Sequence, residues 1–165
     1  MTPMIPFERH KTIQETVASH QALEAIAQTL AAHSKAGDII TLDGPLGSGK
    51  TTFAQAFCKA FDVFEPVNSP SFGLINEYTT GRLPIAHVDL YRLGPEKAAA
   101  LGDELSLYLD EGRHLVLVEW ACYGEHLTMD LYQEAAFSLK FSYIEDKPDS
   151  RRLEIASARP FEITP

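Results

Sequence analysis

A chain of 165 residues with 45% hydrophobic and 22% charged residues has room for one folded unit around one core, and its composition is far from that of a disordered segment. Its net charge of −9, from 23 acidic against 14 basic residues, argues against a broad footprint on the backbone of DNA or RNA, so any nucleic-acid contact is expected to be local or made by a partner. No stretch approaches the ~18 apolar residues needed to cross a bilayer, and the start MTPMIPFERHK lacks a signal peptide's apolar run, so a cytoplasmic protein with no membrane contact is expected.

In chain order, Phe7 to Gln14 is expected as an edge strand and Glu15 to His33 as a helix, with Val17, Ile26, Ala27 and Leu30 near helical spacing. Gly37 stops that helix, and Asp38 to Leu42 is a short buried strand entering a glycine-rich loop. From Lys50 to Phe61, the positions Phe53, Ala54, Phe57 and Phe61 form a helix face, which makes Phe61 a core residue. Cys58, on this helix, and Cys122 lie far apart without metal-ligand spacing and read as reduced thiols.

Phe72 to Tyr78 and Leu83 to Tyr91 flank the polar turn Thr79 to Arg82 and predict an antiparallel hairpin. Period-two alternation puts His87, Asp89 and Tyr91 on one face of its second strand. Pro95 to Tyr108 is expected to be helical, with Gly102 dividing it, and Leu115 to Val118 is expected as a central parallel strand that aims Glu119 at a site. Ala136 to Ile144 and Leu153 to Ala158 predict a second hairpin around Lys147 to Ser150, before a loose tail from Pro160 to Pro165.

The run Gly44-Pro45-Leu46-Gly47-Ser48-Gly49-Lys50-Thr51 fits G-x-x-x-x-G-K-[ST] at every fixed position, with the strand before and the helix after that its chemistry requires. The glycines permit the turn and close approach, while successive amides and the helix N-terminus turn positive dipoles toward phosphates. Lys50 is expected to reach the β and γ phosphates, Thr51 to hold Mg²⁺, and Thr52 to donate to the α phosphate. The expectation is an α/β fold: one P-loop NTPase domain over residues 1–165, with a mainly parallel central sheet flanked by helices and carrying antiparallel β-hairpins.

Hydrolysis requires a further acidic group at a neighbouring strand end, and Glu119 stands there. His87 and Asp89 have no third ligand at recognisable spacing, so Asp89 is read as a Mg²⁺ or water ligand rather than part of a protein-only metal site. Val67 to Phe72 serves either as a plain turn or as a switch loop whose hydroxyls sense the γ phosphate, and Trp120 either packs or covers the nucleotide.

The ordered series GPLGSGKTTF, VNSPSFGLINEY, HVDLYRL and LVLVEW resembles the bacterial TsaE family, the ATPase of tRNA threonylcarbamoyladenosine biosynthesis, over nearly the whole chain. The resemblance implies an ATPase, using Mg²⁺ and leaving ADP, that works with the TsaB and TsaD proteins and meets tRNA only through them. It also implies that Thr51 and Glu119 are the magnesium-site residues, Asp89 a switch acid, and Ser69 to Phe72 the first switch. Ser71 stands where the family commonly has threonine, keeping the hydroxyl, and Ala121-Cys122 replaces a proline and a polar residue. Thr16 matches a position near the nucleotide, and Arg151 and Arg152 fall where a late hairpin carries an arginine, with Arg152 taken as the nucleotide contact. Two alternatives remain: a small-molecule kinase, for which no lid is visible, and a nonhydrolytic switch module. A Ras-like GTPase is disfavoured because neither Asn68 nor Asn76 begins an Asn-Lys-x-Asp motif, which leaves adenine as the expected base.

Overall fold

Ser19 decides where the first helix begins. In the computed structural model, which describes residues 11–70, 73–127 and 129–163, its hydroxyl accepts from the Ala22 N–H at 3.1 Å and caps α1, His20–Ala32. The residues before that cap, expected to be helical from Glu15, instead extend strand β1, Lys11–Val17. The expected strand residues Phe7 to His10 lie outside the described residues.

The remaining elements follow the hydrophobic pattern. They are β2 (Ile39–Asp43), α2 (Lys50–Ala60), β3 (Ile75–Tyr78), β4 (Ile85–Asp89), α3 (Pro95–Asp110), β5 (Leu115–Glu119), a 3₁₀ turn over Ala121–His126, α4 (Leu131–Glu134), β6 (Ala135–Ile144) and β7 (Lys147–Ser157). Gly102 does not divide α3, because it is one of the residues that helix buries and a side chain is not needed there. The second hairpin turns at Glu145 and Asp146, not at Lys147 to Ser150: Ile144 faces Lys147, and Asp146 takes a φ of 64°.

These strands form one seven-stranded sheet in the order β1-β7-β6-β2-β5-β4-β3. The four central strands, β6, β2, β5 and β4, are mutually parallel, and β1, β7 and β3 join antiparallel at the flanks. Alternation sorts the core into two layers. Ile40, Leu42, Leu117, Phe137 and Leu139 pack with α1 and α2, while Ile39, Val116, Val118 and Ala135 pack with α3 and the 3₁₀ turn. Phe61 is buried in the first layer, as its spacing predicts.

The C-terminal segment is not loose through Phe161. That ring is buried against Phe137, with centroids 5.3 Å apart, and Arg159, two residues earlier, pairs with Asp38 just before β2. One aromatic between two prolines gives little periodic signal, which is why the pattern hides it. The parallel strands deliver Asp43, Asp89 and Glu119 to one edge of the sheet, the carboxyl edge, where open α/β sheets place their ligand sites.

Candidate functional site

Asp43 ends β2, and the loop that follows turns on glycines until α2 begins at Lys50. Gly44 has a φ of 148°, and a Cβ there would lie 2.7 Å from both the Phe141 carbonyl oxygen and Ser48 Oγ, so only glycine passes between them. Gly49 caps α2 at a φ of 110°, a backbone that side chains rarely adopt. The loop therefore presents the N-terminal amides of α2 to the cleft.

Lys50 is only 4% exposed. Its ammonium donates to the carbonyls of Gly44 at 2.7 Å and Pro45 at 3.0 Å, and it lies 3.8 Å from the centre of the Trp120 ring. Burial lowers its pKa, against the raising influence of Glu119, Asp43 and Asp89. Ser48 Oγ is buried with no hydrogen-bond partner among the described residues. A buried cation resting on carbonyls and an unpartnered hydroxyl in the same loop match the needs of an anion with several acceptor oxygens. Leu46, at the loop tip, is 71% exposed, and its carbonyl accepts from Tyr143 at 2.5 Å.

Opposite the loop, Thr51 Oγ1 donates across Glu119, 3.1 Å from Oε1 and 3.0 Å from Oε2. Glu119 is 2% exposed, and its Oε1 also lies 2.8 Å from His87 Nε2. Asp89 stands beside Glu119 in the parallel register of β4 and β5. Its Oδ2 accepts from Ser69 at 2.6 Å and its Oδ1 from the Tyr91 N–H at 2.9 Å. One hydroxyl and two carboxylates are hard oxygen donors, the set that suits Mg²⁺. Among the described residues, no group of three or more His, Cys, Asp or Glu residues is gathered as a metal cage.

These groups line a cleft of about 340 Å³ that runs from Leu46 and Lys50 to Ser69, Asp89 and Glu119. A second cleft of about 440 Å³ continues past Gly47, Ser48 and Thr52 to Val17, His20 and Arg151. Arg151 lines it and Arg152 does not. In β7, Arg151 shares a face with the buried Leu153, whereas Arg152 is exposed and its side chain belongs to the other face. Of the two arginines expected near the nucleotide, the structure brings Arg151 to the cleft and leaves Arg152, the expected contact, on the opposite face of the strand. Thr16 pairs with Arg152 in the backbone ladder, but its side chain lies outside the described residues, as does Ser71 altogether.

Three features have no separate signal in the sequence. Trp120 adopts a left-handed φ of 58°, which lays the indole over Lys50 and against Tyr91 and Tyr123, at centroid distances of 4.8 and 5.6 Å. Asp43 accepts from the Cys122 N–H at 2.9 Å and from Tyr132 at 2.6 Å, which fixes the base of the loop to the segment after β5. His87 reaches Glu119 diagonally between strands, a contact that alternation anticipates only once β4 is known to lie beside β5.

A parallel strand that passes through a glycine-cornered loop into a helix headed by a buried lysine and a threonine defines a P-loop nucleotide-binding protein. The family profile described as "Threonylcarbamoyl adenosine biosynthesis protein TsaE" matches residues 17–153, and the chain belongs to that family. It is 40% identical over 114 residues to the tRNA threonylcarbamoyladenosine biosynthesis protein TsaE of Bacillus subtilis, covering 67% of this chain and 68% of that one. To the protein of the same name from Nostoc it is 45% identical over 89 residues, which span 52% of this chain and 54% of the relative. The crystal structure of Bacillus subtilis YdiB superposes with a TM-score of 0.71 at 31% identity, over 90% of this chain and 87% of that one. Among the described residues, no helix is long and apolar enough to cross a membrane.

Proposed function

We propose that the protein is a cytoplasmic Mg²⁺-dependent ATPase that supports TsaB and TsaD in forming threonylcarbamoyladenosine in tRNA, meeting the tRNA only through those partners. The observation that carries this reading is the buried contact between Thr51 and Glu119 beside Lys50, which joins a phosphate-binding half and an acidic half in one cleft. Membership of a tRNA-modification family speaks against the small-molecule kinase alternative.

In this reading, the backbone from Gly44 to Thr52 and the Lys50 ammonium hold the phosphates, with Leu46 and Ser48 contributing loop amides, Ser48 also its hydroxyl, and Pro45, which has no N–H, shaping the turn. Ser71 and an arginine of the late hairpin complete the nucleotide contacts. Thr51, Glu119 and Asp89 hold the metal and orient the attacking water. Bound Mg²⁺ would supply charge neutralisation at the phosphate oxygens. The larger cleft, walled by Val17, His20 and Arg151, takes the nucleoside.

Catalysis by such a site is positioning and electrostatics. Asp89 is engaged by Ser69 and the Tyr91 amide, so it turns to a water only when the segment around Ser69 rearranges. Turnover by the isolated chain is therefore slow, and partner docking completes the site. The direct test is ATP hydrolysis to ADP measured with and without TsaB and TsaD. The expected result is weak activity alone and strong stimulation together; full activity alone, or no ATP binding, overturns the proposal. Glu119→Gln separates it from a nonhydrolytic switch. It should retain ATP binding and lose tRNA modification, whereas a switch that needs no hydrolysis keeps modification intact.

A further inference from the structure

Glu119 is a carboxylate at 2% exposure, and such a group is tolerated only when donors meet its oxygens. Thr51 supplies one donor to both oxygens. The other is the His87 ring, itself fully buried, at 2.8 Å from Oε1. His87 is absent from the residues that line the cleft.

The ring is oriented in turn from its far side. Its Nδ1 lies 3.2 Å from the hydroxyl of Tyr78, which is buried in β3. The one proton of that hydroxyl is shared between Nδ1 and the Asn68 carbonyl at 3.0 Å, and its oxygen accepts from the Asn68 N–H at 3.3 Å. Asn68 precedes Ser69, whose hydroxyl holds Asp89. Both acidic groups of the cleft are thus tied to the same short segment, Asp89 directly and Glu119 through two buried rings.

We propose that His87 is a positioning residue that fixes the Glu119 carboxylate for Mg²⁺, and that Tyr78 connects this pair to the segment at Asn68 and Ser69. The proposal rests on the reading of Glu119 as a magnesium-site residue. Once the Thr51 oxygen serves the metal, the His87 N–H is, among the described residues, the remaining side-chain donor that keeps the carboxylate from rotating. Groups that orient a metal-binding carboxylate typically matter 10- to 100-fold in metal affinity, about as much as a weak ligand itself.

The test is Mn²⁺ titration of the ADP-loaded full chain, followed by the electron paramagnetic resonance of free Mn²⁺, with ADP affinity in EDTA measured alongside. His87→Leu should weaken Mn²⁺ binding about tenfold and leave metal-free ADP affinity within about twofold. His87→Gln, which keeps an amide N–H at similar reach, should recover most of the loss. In a Glu119→Gln background, His87→Leu should add no further loss. Wild-type Mn²⁺ affinity in His87→Leu, or equal weakness in the leucine and glutamine variants, overturns the proposal. Tyr78→Phe, which keeps the ring and should fold even where His87→Leu does not, is expected to lose about threefold. Wild-type affinity there removes Tyr78 from the arrangement. If Glu119→Gln itself binds Mn²⁺ normally, the magnesium-site reading falls too; if it binds weakly while His87→Leu does not, only the role of His87 falls.

Discussion

The phosphate loop and Glu119 reach the cleft along regular elements, β2 into α2 and the end of β5, whereas Asp89 is held by a serine from an irregular segment between α2 and β3. The charged side chains of the first group are buried and partnered: Lys50 is 4% exposed and Glu119 2%. The second includes the exposed Asn68. The contrast separates two tasks. Binding phosphate requires amides and a cation held in advance, which a strand–helix junction supplies. Placing a water requires a group that can be released at the right moment, and an irregular segment supplies that at lower local stability.

The strongest way to break this contrast is to spoil the rigid half. Gly44→Ala puts a Cβ within 2.7 Å of the Phe141 carbonyl, at a backbone angle that alanine avoids. Strain and overpacking together should cost about 3 kcal/mol. Thermal unfolding should shift down by roughly 10 °C, and calorimetric ADP binding should be lost. A variant that folds and binds ADP normally would mean that the loop yields, and that the two halves differ less than their burial suggests.

Ser69→Ala probes the other half and should act more gently. It removes the 2.6 Å contact that engages Asp89 and leaves the glycine-rich loop's own residues unchanged. ADP affinity should stay within about twofold, while ATP turnover by the isolated chain rises about threefold, the effect of one hydrogen bond. A fall in ADP affinity instead would show that Ser69 belongs to the binding half.

The two halves were also unequally legible in the sequence. The loop, its strand and its helix follow from a fixed motif and strong periodicity, and Glu119 follows from an apolar run that must end at the carboxyl edge of the sheet. Asp89 follows from alternation. The contacts that couple them do not, because Tyr78, His87 and Glu119 meet only through the pairing of three strands. Arg151 illustrates the limit most sharply. With the second hairpin expected to turn at Lys147 to Ser150, either arginine could face the cleft; the observed turn at Glu145 and Asp146 fixes the register, and a single step along a strand exchanges the faces. Trp120 required a left-handed backbone, for which a tryptophan gives no warning.

The smallest expected effect tests whether the wall behind the rigid half is as closed as its front. Cys122 is half-buried beside Asp43, and burial followed by the Asp43 charge pushes its thiol up to about 12; burial also pushes the Cys58 thiol to about 12. A thiol raised this far leaves on the order of one molecule in ten thousand as thiolate at pH 8, and the thiolate is the reactive form. Iodoacetamide at pH 8 should therefore leave both cysteines of the folded protein unmodified by intact-mass measurement, and label both in denaturant. Rapid labelling of Cys122 alone in the native protein would show that the Ala121–His126 turn opens, releasing Asp43 and with it the base of the phosphate loop.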